Sequence, residues 1–316
     1  MRIISTNHLT KYYGRARGIV NLDLSVEQGD FFGFIGPNGA GKSTTIRILL
    51  GLIRATAGNA SIFGMDIVSE RKKILENIGY IPSETMFYHG TTVAETLRLS
   101  ADLRKKDCAQ EAGILCERLQ LDPHQKTESL SLGNRKKVSI VCALQHRPDL
   151  CIFDEPTSGL DPLIQKEFFE ILRERNTQGT TIFLSSHILS EVQKYCSRAA
   201  VIREGQIAAC GGIAELTAAN ARRVTLTGTP KGALEQLLRQ IRQAVPPQPL
   251  PRNAKSSSTP EIPTVNVRDL RSGDDTVSFL FQGNIKELMD ALTPVPYTDL
   301  TITEPDLSEI FMHFYE

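Results

Sequence analysis

Nowhere in the 316 residues does an apolar run reach the roughly 18–20 needed to cross a bilayer, so the sequence predicts no transmembrane helix. The first residues, MRIISTNHLT, lack the apolar stretch of a secretory leader. Charge of one sign is also missing: acidic and basic residues number 36 each, and the formal net charge is zero. A nucleic-acid binder usually shows a basic excess, because phosphate neutralisation supplies most of its affinity, so neither DNA nor RNA is expected as the main partner. Six cysteines are present (Cys108, Cys116, Cys142, Cys151, Cys196 and Cys210), but none forms a C-x-x-C pair, so no zinc ribbon or thioredoxin-like site is suggested. Free thiols without a framework fit a reducing cytosol. No sequence repeat and no sustained heptad pattern is evident.

Short apolar runs alternate with helical spacings. RIIST and IVNLDLSV read as strands around a Gly14–Gly18 loop, and FFGFIG (31–36) reads as a buried central strand followed by a glycine-rich turn and the helical run KSTTIRILLGL. Residues 85–147 look mostly helical, with apolar spacing in VAETLRLSADLRK and QEAGILCERLQL. LCIFDEP (150–156) and TIFLSSH (181–187) read as buried strands, FFEILRER (168–175) and ILSEVQKYC as helices, and AAVIREGQIAACG as a hairpin. The alternation predicts an α/β fold with a mainly parallel core sheet, an antiparallel β part and the helical stretch as an insertion. After about residue 217 the pattern becomes that of a small α+β domain: RRVTLTG, a helix around KGALEQLLRQIRQ, VSFLFQG, a helix at IKELMDAL, the strand TDLTIT and a short helix at LSEIFMHFYE. A Pro- and Ser-rich stretch at 245–263 interrupts it and reads as a surface loop.

GPNGAGKS (36–43) satisfies G-x-x-x-x-G-K-[ST] in full, between an apolar strand and a helix. Gly36, Gly39 and Gly41 let the backbone approach phosphates closely, while Pro37, Asn38 and Ala40 complete the loop. Successive backbone N–H groups up to Thr44, together with the helix start, present donors to anionic oxygens. Lys42 can reach the β- and γ-phosphates, and Ser43 can ligate Mg²⁺. Asp154 and Glu155 close the apolar strand before Pro156, at the strand end where α/β folds place ligand chemistry. Asp154 suits Mg²⁺ through its water shell, and Glu155 suits a general base or a group orienting the attacking water. These motifs define a P-loop NTPase.

Three further motifs narrow the reading. LSLGN (130–134) lies between the two sites, SGLD (158–161) follows the acids, and His187 ends the next strand in LSSH. This order resembles the ATP-binding subunits of ABC transporters over about residues 1–217. The resemblance implies a fold of ABC type and two subunits, a homodimer, closing head to tail around Mg²⁺-ATP. It also implies a separate integral membrane permease as partner and a peripheral place on the cytoplasmic face of the membrane. By it, Ser131 and Gly133, with Leu132 and Asn134 between and after them, form the signature that faces the γ-phosphate on the opposite monomer. Asp161 becomes the D-loop aspartate, His187 the switch histidine, and Tyr13 in KYYG the ring that stacks on adenine. In the family pattern Leu132 would be glycine and Asn134 glutamine. The loop glutamine expected after a proline is replaced in GYIPSE by Ser83, followed by Glu84, and either suits contact with Mg²⁺ or the lytic water. Those departures resemble the exporter branch whose permease is a separate chain, as does the ending DLSEIFMHFYE. Residues 218–316 then correspond to that branch's C-terminal extension.

The alternative readings are a soluble non-transport ABC ATPase and an ATP-binding regulatory module. Soluble ABC ATPases acting on ribosomes carry two ATPase domains, whereas this chain has one phosphate loop; those acting on DNA carry long coiled coils. A regulatory module that binds ATP without turnover would sit poorly with intact Lys42, Asp154, Glu155 and His187.

Overall fold

The computed structural model describes residues 1–217, 221–229, 267–273, 275–282 and 285–303. The helix expected around 231–243, the loop at 245–263 and the final helix at 307–316 lie outside the described residues. The chain divides into two compact units, Met1–Ile213 and a second beginning at Ala214.

The first unit is organised by five parallel strands: β4 (Phe31–Ile35), β7 (Ile78–Ile81), β8 (Leu150–Asp154), β9 (Thr181–Ser186) and β10 (Arg198–Arg203). They lie in the order β10-β4-β9-β8-β7, and β11 (Gln206–Gly212) adds an antiparallel edge beside β10. Every residue of β4, β8 and β9 is buried. Strands covered on both faces need continuous apolar sequence rather than alternation, which is what FFGFI and LCIFD supply. Phe183 on β9 stacks on Phe32 at 5.8 Å between ring centroids and meets Phe34 at 5.3 Å, so neighbouring strands are locked through one aromatic cluster.

An antiparallel sheet is built from β1 (Arg2–Tyr13), β2 (Ala16–Leu22), β3 (Ser25–Glu27), β5 (Ala57–Ile62) and β6 (Met65–Asp66). β1 is longer than the RIIST strand read from the sequence, because register shifts near Leu9 and Lys11 carry it on to Tyr13, opposite Ala16. Helix α1 (Lys42–Leu49) follows the glycine-rich turn, and α2 (Arg71–Glu76) precedes β7.

The helical insertion comprises α3 (Val93–Leu103), α4 (Ala109–Arg118) and α5 (Leu132–Leu144). α3 starts at a capping box: the Thr92 side chain accepts from the Glu95 amide at 3.2 Å, and the Glu95 carboxylate accepts from the Thr92 amide at 2.8 Å. The cap fixes the helix start at Val93, where the run VAETLRLSADLRK begins. α6 (Pro162–Thr177) starts with Asp161 as N-cap and Pro162 at its first position. α7 (Leu189–Tyr195) follows β9, and α8 (Ile213–Thr217) follows β11.

In the second unit, an antiparallel sheet runs β13-β14-β12-β15, with β12 Ala221–Thr227, β13 Val267–Ser272, β14 Thr276–Gln282 and β15 Asp299–Thr303. Helix α9 (Ile285–Leu292) places Leu288 and Leu292, both fully buried, in one core with Val224, Leu226, Phe279 and Phe281.

Candidate nucleotide-binding and hydrolysis site

Because β4, β7, β8 and β9 run parallel, their carboxyl ends open on the same edge of the sheet. β4 delivers the glycine-rich turn, β8 delivers Asp154 and Glu155, β9 delivers His187, and β7 delivers Pro82 and Ser83. Segments far apart in sequence meet there, as ligand sites do in open α/β sheets.

The turn into α1 is glycine-built for a reason visible in its backbone. Gly41 has φ +113°, a conformation that L side chains rarely adopt, and it caps α1 without a side-chain hydrogen bond. The first N–H groups of α1 therefore point out of the helix without a side-chain cap, where an anion can accept from them. Lys42, only 5% exposed, has its Nζ 2.7 Å from the Gly36 carbonyl and 3.2 Å from that of Pro37. The same ammonium pairs with Glu155 Oε1 at 3.3 Å. A cleft of about 190 Å³ lies over this turn, lined by Asn38, Gly39, Gly41, Lys42, Ser43 and Thr44 together with Glu155. Tyr13 stands at its rim, 47% exposed, with Arg17 and Gly18 beside it.

The acid pair is held by the strand next door. Asp154 is fully buried, and its Oδ1 accepts from the Ser185 hydroxyl at 2.9 Å. Asp154 Oδ2 is buried with no hydrogen-bond partner. An orphaned carboxylate oxygen at the carboxyl end of a strand suits a divalent cation, because an unpaired buried acceptor is otherwise costly. Glu155 takes φ +50°, and its amide donates to both the Ser185 carbonyl and the Ser185 hydroxyl at 3.2 Å. Its Oε2 lies 3.2 Å from His187 Nδ1, so one carboxylate bridges Lys42 on one side and His187 on the other. Nearby Tyr80 feels this charge: burial first, then Asp154, pushes its phenol above the ordinary range.

Residues 131–134 do not line the cleft of their own chain. Ser131 caps α5, its hydroxyl accepting from the Asn134 amide at 3.2 Å, while Leu132 is 57% exposed. A Cβ added at Gly133 would stand 2.8 Å from the Gly159 carbonyl oxygen, and one at Gly159 would stand 3.0 Å from Leu132 Cδ2. LSLGN and SGLD are thus in contact within one chain. Asp161 faces its own helix, accepting from the amides of Leu163 at 3.1 Å and Ile164 at 3.0 Å. Ser83 and Glu84 also lie outside the cleft, with Glu84 exposed. Three residues of this region escaped the sequence reading. Arg17 looked like part of a loop, Ser185 like the interior of a strand, and Lys136 like one charge in a basic helical run.

A parallel sheet carrying this phosphate loop and a strand-end acid pair defines a P-loop NTPase. Comparison with known proteins places it further. The ABC transporter family profile matches residues 19–158. The bacitracin transport ATP-binding protein BcrA of Bacillus licheniformis is 42% identical over 212 residues, covering 65% of this chain and 68% of BcrA. The linearmycin resistance ATP-binding protein LnrL of Bacillus subtilis is 28% identical over 318 residues, covering 98% of this chain and 97% of LnrL. The probable multidrug ABC transporter ATP-binding protein YbhF of Escherichia coli is 32% identical over 241 residues, and this chain spans only 42% of its length. Among solved structures, an ATP binding subunit of an ABC transporter superposes with TM-score 0.65 at 30% identity, over 68% of this chain and 92% of that one. The chain belongs to the ABC transporter family, among its ATP-binding subunits. It binds nucleotide and hydrolyses ATP as a motor subunit, a class that dimerises and works with membrane permeases.

Proposed function

We propose that this chain drives an exporter whose permease is a separate polypeptide, and that its work is done at the cleft over Lys42. The observation that carries the catalytic part is the Glu155 carboxylate, held 3.3 Å from Lys42 and 3.2 Å from His187 at the end of a parallel strand. ATP phosphates accept from the backbone amides of Gly39 to Thr44, and the Lys42 ammonium exchanges its two carbonyl contacts for phosphate oxygens. Adenine stacks on the exposed face of Tyr13. The Ser43 hydroxyl and, through a water shell, the free Oδ2 of Asp154 would hold Mg²⁺, which would supply charge neutralisation at the phosphates. Glu155 orients and deprotonates the attacking water, and His187 hydrogen-bonds the γ-phosphate.

Each site is completed by a second copy of the chain, whose Ser131 and Gly133 reach the γ-phosphate while Leu132 and Asn134 flank them. Asp161 sits at the seam, and Ser83 or Glu84 takes the place of the missing loop glutamine. ATP favours the closed dimer because it binds that state more tightly, and hydrolysis removes the preference. The permease supplies the membrane crossing, and this chain lies against its cytoplasmic side; no helix among the described residues is long and apolar enough to cross a membrane. Residues 1–217 form the ATPase, and residues 218–316 add dimer contacts or regulation. Export of an antibiotic is favoured by likeness to BcrA and, over nearly the whole chain, to LnrL.

Affinity purification of the tagged chain from gently solubilised native membranes tests this reading. A stoichiometric integral membrane protein is the expected partner. Recovery in the soluble fraction with ribosomal or DNA-associated proteins would overturn the transporter role.

A further inference from the structure

Lys136 lies on α5, five residues beyond Ser131, and is only 2% exposed. Its Nζ donates to the carbonyls of Pro82 at 3.1 Å and Ser83 at 3.0 Å. It forms no ion pair with a carboxylate of the described residues. Burial pulls its pKa below the lysine range, while the charges of Asp154 and Glu155 push the other way. An ammonium in such surroundings without a paired carboxylate is costly, and an apolar side chain of similar length would avoid that cost. The two elements it joins give the charge a use. Pro82 and Ser83 leave β7, whose Ile81 pairs with Phe153, the residue before Asp154. Leu132 to Asn134 open the helix to which Lys136 belongs.

We propose that Lys136 is a positioning residue: its two carbonyl bonds clamp the 82–84 loop to α5. The loop beside the acids and the LSLGN segment then move as one body. In a closing dimer, capture of nucleotide at Ser131 carries Ser83 and Glu84 into register with Asp154 and Glu155. Lys136 itself touches neither nucleotide nor water. The inference rests on the proposed roles of 131–134 and 83–84, but the clamp is a property of one chain and is measured without turnover.

The test compares Lys136→Met, Lys136→Gln and Lys136→Arg in the full chain, by amide hydrogen exchange and by steady-state ATPase. In Lys136→Met, exchange across residues 82–90 rises at least about fivefold while β8 and β9 keep their protection. Its kcat falls about tenfold with KM for ATP within about twofold, because only positioning is lost. Lys136→Arg restores both readouts, and Lys136→Gln falls between. Wild-type loop exchange and kcat in Lys136→Met would overturn the proposal. So would loosening spread evenly over β8, β9 and α6 in all three variants, which marks Lys136 as core filler. Should Lys136→Met not fold, the other two decide: equal loop exchange in Lys136→Arg and Lys136→Gln overturns the clamp. A wild-type chain that fails to hydrolyse ATP would strike the enzymatic reading, while the exchange comparison would still test the clamp.

Discussion

The Ser185 hydroxyl donates to Asp154 Oδ1 at 2.9 Å and accepts from the amide that follows it, that of Glu155, at 3.2 Å. One oxygen thereby fixes the carboxylate proposed for the metal and the backbone of the proposed base. Glu155 stands at φ +50°, where a non-glycine residue needs such fixing.

Ser185→Ala removes both bonds and adds no bulk. Loss of a hydrogen bond to a charged group costs about 1.5–3 kcal/mol, so thermal unfolding shifts downward by several degrees. ATPase activity falls at least about tenfold and the Mg²⁺ concentration for half-maximal rate rises, because Asp154 is no longer aimed. Titrating Mg²⁺ in the assay checks this; an unchanged half-saturation point contradicts the role given to Ser185.

Gly133→Ala drives a methyl to within 2.8 Å of the Gly159 carbonyl oxygen, backbone that cannot swing away like a side chain. The LSLGN and SGLD segments must part by a few tenths of an ångström. Nucleotide binding by the isolated chain stays within about twofold, while ATPase falls about tenfold or more, since a small misplacement suffices. Fluorescent-nucleotide titration beside an ATPase assay separates the two effects.

His146 is buried, with Nε2 3.2 Å from the Ile78 carbonyl, and burial followed by the charges of Arg104 and Lys106 pushes its pKa from 6.5 down to about 4. Below the unfolded value the unfolded chain takes up a proton that the folded chain refuses. Stability is therefore fully present above about pH 6.5 and is lost as pH falls through the window down to about 4. The limiting slope from this one group is about 1.4 kcal/mol per pH unit. His146→Gln keeps a donor for the Ile78 carbonyl and removes the titration. Urea unfolding of both proteins at about pH 7.5 and about pH 5 checks the sign: the variant gains relative to wild type on acidification.

Much of the ATPase unit was legible because its elements are extreme. β4, β8 and β9 are uninterrupted apolar runs, and α3 repeats apolar residues at helical spacing. The phosphate loop is legible because its glycine positions are dictated by backbone geometry rather than by packing. β5, α2 and β7 were not recognised. AGNASI buries only two of its six residues and pairs with β1 along a shifted register, so no alternation marks it. Ser185 and Lys136 could not be found from composition either. The importance of Ser185 comes from lying opposite Asp154 in a parallel register, and that of Lys136 from where β7 ends. The contact between Gly133 and Gly159 is likewise a product of tertiary packing.

Glu155, between Lys42 and His187, is proposed to turn ATP over in a dimer that ATP itself closes. Glu155→Gln keeps the shape of the side chain and removes its basicity. Light scattering of that variant with and without Mg²⁺-ATP, beside its steady-state hydrolysis, is the most direct measurement. The expected result is bound ATP, an ATP-dependent dimer, and a rate lowered roughly 10²–10⁴-fold. Hydrolysis at the wild-type rate, or a protein that stays monomeric with ATP bound, would contradict it.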